Sequence, residues 1–381
     1  MSFFEWLQEL PARIGLKKDR QALPEGPGDD MSQDAFAATR ELSRLLVEDN
    51  ASASVANPID TADISIILGN LFRAQGDIAR AVRLREALLA RADMNASLKA
   101  RIFFELGCDY RRSGLLDRAL DSYKEARKLG FSGQAVSGEL AHLFADSGDF
   151  AAAAREFSAI GNARGEAYFL VMQAEEQAAQ GDDGAAVKLL KRAAGVYPGS
   201  PEAWLALTCM NLMSGDAAGA RKRYTAGLAK AKDSAGLILL EGLHAFINGP
   251  SAPAIPPGAL HALLIGLNSD FAAGDADLML CYYGGLFMRR IEQADEAEQW
   301  FTKALVIEPD FWAARLALLA LTADRESLPP LLGQQIVFFT RKAAESKRFF
   351  CRSCGMRRKS IFSCCPRCRA WHSVAFRLYL N

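Results

Sequence analysis

No apolar run in this 381-residue chain approaches the about 20 residues that a membrane-spanning helix needs. Neither sign of charge is in excess, since Lys+Arg and Asp+Glu both number 45, so the global balance gives no steer toward nucleic acid or acidic substrates. Histidine is scarce. His142, His244, His261 and His372 lie scattered, without carboxylate or cysteine partners at telling spacing. The motifs that catalysis writes into a sequence are missing too: there is no P-loop, no Gly-x-Gly-x-x-Gly after a strand, no His-Glu-x-x-His and no Gly-x-Ser-x-Gly. Half the residues are apolar, enough for a large core, and the expectation is a protein that binds rather than one that catalyses.

What is present is sharpest near the C-terminus. Cys351-Arg352-Ser353-Cys354-Gly355 is followed by Cys365-Pro366-Arg367-Cys368, with ten residues between Cys354 and Cys365. Each Cys-x-x-Cys pair can close a tight turn that aims two sulfurs at one point, and four thiolates on one point make a tetrahedral metal site. Gly355 and Pro366 suit turns whose backbone N–H groups face the sulfurs. Cys364 is a bystander, because only Cys365 and Cys368 preserve the two-residue spacing, and His372 is expected to be a packing or surface residue. Four soft thiolates accept one ion of iron or zinc, and spacing does not choose between them. A site already filled by four protein ligands is structural rather than catalytic.

The middle of the chain repeats itself. Leu68, Gly69, Phe72, Gly76 and Ala81 recur as Leu106, Gly107, Tyr110, Gly114 and Ala119, then as Leu140, Ala141, Phe144, Gly148 and Ala153. Two further copies run through Gly181 and Gly215, and the starts are offset by 38, 34, 33 and 34 residues, the period of the tetratricopeptide repeat. Small residues let two helices approach, each glycine falls where a helix should stop, and Asp77, Asp149, Asp182 and Asp216 follow as caps of the next helix. The expected fold is therefore all-α: a tetratricopeptide-repeat helical solenoid over 35–346, with a small four-cysteine metal knuckle module over 347–381. The pattern fades over 233–275, where a Pro/Gly-rich break interrupts a degenerate unit. A helix over 35–48 is expected to cover the open end of the stack.

Two surfaces follow from this register. The first helices of the hairpins should line a groove, placing Asn70, Arg73, Phe104, Cys108, Arg111, Arg112 and His142 where an extended or helical peptide could lie. Residues 1–34 form an N-terminal segment and linker, in which Phe3, Leu7, Leu10 and Ile14 share a helical stripe beside Trp6 and ahead of Lys17, Lys18 and Arg20. Residues 3–10 thus offer a peripheral membrane contact or a docking stripe. From Arg341 onward eleven Lys/Arg stand against Glu345 alone, which implies an acidic partner surface or a solvated basic face.

Repeats followed by a terminal knuckle pair resemble the lipopolysaccharide assembly protein B family over about residues 35–381. The likeness is sharpest at Leu68-Gly69-Asn70-Leu71-Phe72-Arg73 with Gly76, at Leu106-Gly107 with Asp109-Tyr110, at Leu116-Asp117-Arg118-Ala119, and at Cys365-Pro366-Arg367-Cys368-Arg369-Ala370-Trp371. The resemblance implies a rubredoxin-like tail packed against the repeats, with iron at Cys351, Cys354, Cys365 and Cys368 and zinc as the alternative. It also implies a cytoplasmic, inner-membrane-associated adaptor that brings a lipid A biosynthetic deacetylase to a membrane AAA+ zinc protease. Members begin with a membrane-spanning helix, whereas here a short Phe/Trp segment precedes Pro11. Two other classes remain open from the residues: a nucleic-acid binder using the basic knuckle tail, with Phe349, Phe350 and Trp371 as stacking surfaces, and an electron carrier if the site holds iron that cycles.

Overall fold

The structure is a computed structural model. It describes residues 58–379 apart from 93, 232–234, 250–253, 275–276 and 326–328. The stripe of Phe3, Trp6, Leu7, Leu10 and Ile14, the linker after it and the helix expected over 35–48 lie outside the described residues. Sixteen helices and then three short strands follow in the described chain, which clusters into two compact units, 58–169 and 170–379. The fold is that of a tetratricopeptide-repeat protein with a small C-terminal module.

In the first unit the hairpins are α1 (Pro58–Gln75) with α2 (Ile78–Leu89), α3 (Ala96–Arg112) with α4 (Leu116–Lys128), and α5 (Gly133–Ser147) with α6 (Phe150–Ala159), before the start of α7 (Ala163–Ala179). Gly76, Gly114 and Gly148 end the first helices at φ of 86°, 80° and 85°, a conformation that costs a residue with a Cβ. Asp77 and Asp149 then cap the second helices, accepting the backbone N–H of Arg80 and Ala152. Leu115 stands at the third such position and supplies no side-chain cap. Within a hairpin the approach is close: a Cβ on Gly107 would lie 2.5 Å from Tyr123. The core between the hairpins is built on Ile102, Leu106, Tyr123, Val136 and Leu140, all buried.

The second unit takes the remainder of α7, then α8 (Asp183–Val196), α9 (Pro201–Met213), α10 (Ala217–Lys230), α11 (Ala235–Asn248), α12 (Pro257–Ala273), α13 (Leu278–Arg290), α14 (Ala294–Ile307), α15 (Trp312–Arg325) and α16 (Pro330–Ala344). Gly181 and Gly215 adopt φ of 87° and 82°, and Asp182 and Asp216 cap the helices after them. Where the sequence pattern fades, α11 and α12 are both full helices with buried apolar faces. The glycine–aspartate marker is absent from the sequence between them, and the two are not packed as a hairpin on each other: α11 packs on α9 and α13, and α12 on α10 and α13. Gly242 still sits where a side chain would strike Leu205.

The last 30 or so described residues form a three-stranded antiparallel sheet, order β2-β1-β3, from β1 (Phe349–Cys351), β2 (Arg357–Arg358) and β3 (Val374–Phe376). Phe349 pairs with Phe376 and Cys351 with Val374. So small a sheet cannot bury its own apolar face. Phe349, Ile361, Phe362, Val374 and Phe376 instead join the core formed by α9, α11, α13 and α15. The Phe376 ring meets Phe311 edge-on at 5.5 Å and Tyr282 at 5.9 Å, and the Trp312 indole donates to the Arg377 carbonyl at 2.8 Å.

Candidate metal centre and its surroundings

The four cysteines of the two knuckles converge. Their sulfurs all lie within 4.8 Å of one another, with Cys351 to Cys368 and Cys354 to Cys365 both at 3.6 Å. Four sulfurs each about 2.3 Å from a common centre would stand about 3.8 Å apart, so the arrangement fits a tetrahedral thiolate ion. The two turns are built alike. Gly355 N–H donates to the Cys351 carbonyl and Arg369 N–H to the Cys365 carbonyl, both at 2.8 Å, and Gly355 and Arg369 both have positive φ, 71° and 58°. In each knuckle the first cysteine receives backbone N–H groups from the next turn: Ser353 and Cys354 toward Cys351, Arg367 and Cys368 toward Cys365.

Those donors set the charge. Burial alone would push the Cys351 thiol up, but the Ser373 hydroxyl at 3.1 Å and the N–H groups of Cys354 and Ser353 outweigh it and hold Cys351 at about 6. Burial pushes Cys365 up despite its own N–H donors. A cation held by the four sulfurs would favour the thiolate form of its ligands. Cys364 stays outside the cluster, donating toward the Arg369 carbonyl at 3.5 Å, and burial pushes its thiol up to about 12. Cys108, Cys209 and Cys281 lie in helices away from these sulfurs, and burial raises each thiol.

Two acids hold the module in place, and sequence reasoning passed over both. Glu202 of α9 meets His372 Nε2 at 3.0 Å, and Glu241 of α11 meets Arg348 at 2.7 Å while accepting the Tyr283 hydroxyl at 2.7 Å. Burial pushes the Glu202 carboxyl up, yet the His372 charge and hydrogen bond outweigh it and leave it below its ordinary value. His372, expected as packing or surface, is a buried partner of this acid and stacks on Tyr197 at 5.9 Å. The available signal was an acid inside an apolar helical run, as in Leu239-Leu240-Glu241-Gly242-Leu243, because a buried carboxylate demands a partner. Phe349 is fully buried among the helices, which corrects its expected place on a base-stacking surface: the strand turns it toward the core. Arg352, Arg357, Lys359 and Arg367 remain exposed.

The groove residues all sit in the first unit. Arg73 of α1 bonds Glu105 at 2.8 Å and Asp109 at 3.0 Å on α3, and also Asn70 at 3.0 Å. Arg111 of α3 bonds Glu139 at 2.6 Å and Asp146 at 2.9 Å on α5. These pairs tie consecutive first helices together, so the two guanidiniums are engaged within the chain. Beneath them Arg85 and Asp109, both fully buried, meet at 2.7 Å. Phe104 stacks on Phe131 at 4.6 Å and lies beside Tyr123 at 5.9 Å, while Cys108 accepts from the Tyr123 hydroxyl at 3.5 Å. His142 meets the Phe157 ring edge-on at 5.6 Å, and Arg112 is exposed. The repeat period carried a signal for the ion pairs: Arg73 to Asp109 spans 36 residues, Arg111 to Asp146 spans 35, and Arg289 to Asp324 spans 35.

No protein-family model matches the chain. A stretch of 65 residues is 35% identical to lipopolysaccharide assembly protein B of Escherichia coli strain K12, and the same figures hold for the protein of that name from Escherichia coli O157:H7. The match spans 17% of this chain and 17% of the relative's own length. Similar solved structures include a tetratricopeptide repeat protein from Parabacteroides merdae, 18% identical, covering 68% of this chain and 98% of that one at a TM-score of 0.35. Another is YrrB, a tetratricopeptide-repeat protein with an unusual peptide-binding site, 16% identical, covering 67% of this chain and 91% of that one at a TM-score of 0.23.

Proposed function

We propose that this chain is a non-catalytic adaptor in lipopolysaccharide assembly, bringing a lipid A biosynthetic deacetylase to a membrane AAA+ protease at the cytoplasmic face of the inner membrane. The carrying observation is that the four-cysteine module completes its core on α9, α11, α13 and α15, so that within the second unit these helices and the module form one packed body. The partial likeness to lipopolysaccharide assembly protein B supports the setting in lipopolysaccharide assembly. One iron or zinc ion at Cys351, Cys354, Cys365 and Cys368 maintains the module, and its role is structural. Metal analysis and visible absorbance of the purified chain distinguish the two ions.

Peptide recognition falls to the first unit, where Phe104, Arg112 and His142 flank the ion-pair ladder made by Asn70, Arg73 and Arg111. The test is reconstitution: purified deacetylase and protease, with and without this chain. Faster proteolysis of the deacetylase is expected when the chain is added, and slower acceleration with Arg112→Ala/His142→Ala. Absence of binding to both proteins would refute the adaptor role.

A further inference from the structure

Helix α16 is the last of the helical series, where a terminal element ordinarily shows water a polar outer face. Here the outer face carries five large apolar side chains around exposed Gln334 and Gln335: Leu331 is 71% exposed, Val337 69%, Phe339 56%, Leu332 48% and Phe338 42%. Only Ile336 of its large apolar residues is buried. At 3.6 residues per turn the five exposed side chains spread over about 220° of the helix circumference. That is far wider than the narrow stripe with which a helix enters a partner's groove, and it suits immersion in a medium without fixed pockets.

Charge completes the pattern. The helix carries no acidic residue and ends in exposed Arg341 and Lys342. The chain runs from that end through Lys347 and Arg348 directly into β1, so the basic metal module follows the helix within a few residues. Lys342 pairs with Glu345 at 2.9 Å with both side chains about half exposed, a contact worth little in water. Broad apolar face, basic border and no acid in the helix together are the features of a surface that lies in the headgroup region of an anionic bilayer.

We propose that α16 and the basic edge of the metal module form a peripheral docking surface for an anionic phospholipid bilayer. This is independent of the adaptor assignment and of the partners named there. Flotation of the full chain with phosphatidylcholine vesicles, and with phosphatidylcholine–phosphatidylglycerol vesicles, tests it. Binding is expected to the anionic vesicles, weakening as salt rises. Phe338→Glu/Phe339→Glu should lower partitioning about tenfold or more with a smaller effect on Tm, since about half of each residue is already exposed. Arg341→Gln/Lys342→Gln should remove the preference for anionic lipid. In a parallel arm, Trp6→Glu/Leu7→Glu alters the N-terminal stripe and leaves α16 intact. The proposal is overturned if the wild type fails to float, if the α16 pair floats like wild type, if only the N-terminal pair abolishes binding, or if the α16 pair alters oligomeric state while vesicle binding persists.

Discussion

At the scale of single residues, glycine has opposite meanings at different points of the same hairpins. Gly107 lies against Tyr123, which is fully buried and cannot yield, so Gly107→Leu should cost about 1–3 kcal/mol by overpacking. Gly138, in the middle of α5, has nothing within 4 Å of where a Cβ would stand. Gly138→Ala should therefore raise stability by about 0.5–1 kcal/mol through helix propensity. Thermal unfolding of the two variants should move Tm in opposite directions, and a Gly107→Leu protein that melts like wild type would place the repeat register elsewhere. The knuckles offer a second comparison of the same kind. Gly355 and Arg369 occupy equivalent left-handed positions, but only the first is a glycine. Arg369→Gly should stabilise the metal-bound module by about 1 kcal/mol, and Gly355→Ala should destabilise it by a similar amount. Competition with a chromogenic chelator reads both.

At the scale of elements, the metal module borrows its core. Zinc-finger peptides gain about 10–16 kcal/mol of apparent folding free energy from the ion, and a sheet this small depends on it comparably. Chelation or Cys354→Ser should expose the chain to protease after about residue 345. The spacing of the cysteines alone implies that only the tail unfolds, but the shared packing extends the effect. Loss of Phe376 uncovers Tyr282 and Phe311, and loss of Arg377 leaves the Trp312 indole unpaired. Hydrogen exchange in α13 and α15 should accelerate on metal removal, whereas unchanged protection there would show that the helices hold without the sheet. The turns were legible from the sequence because glycine and aspartate are demanded by local backbone geometry, and the metal ligands because two turns must each present two sulfurs. The docking acids Glu202 and Glu241 were not, since their partners, His372 and Arg348 respectively, lie 170 and 107 residues away. Nor was the packing of α11 on α9 and of α12 on α10, where the local markers are gone and only burial fixes each helix.

At the scale of the whole chain, the described residues form two compact units, and the metal belongs to one of them. Repeat stacks are stabilised chiefly by nearest-neighbour contacts, so a perturbation fades within a few helices of its origin. Metal removal should then speed hydrogen exchange in residues 170–379, most strongly near the module, and leave residues 58–169 unchanged. Gly107→Leu should act in reverse, loosening 58–169 while the affinity of the four cysteines for their ion stays as it was. A single concerted transition, in which chelation also melts the first unit, would show coupling that nearest-neighbour packing does not supply. The functional consequence separates the two candidate partner surfaces: a protein held by the hairpins around Phe104, Arg112 and His142 should remain bound to the metal-free chain. One held on the module should be released with the ion, and binding measured before and after chelation assigns each partner to its unit.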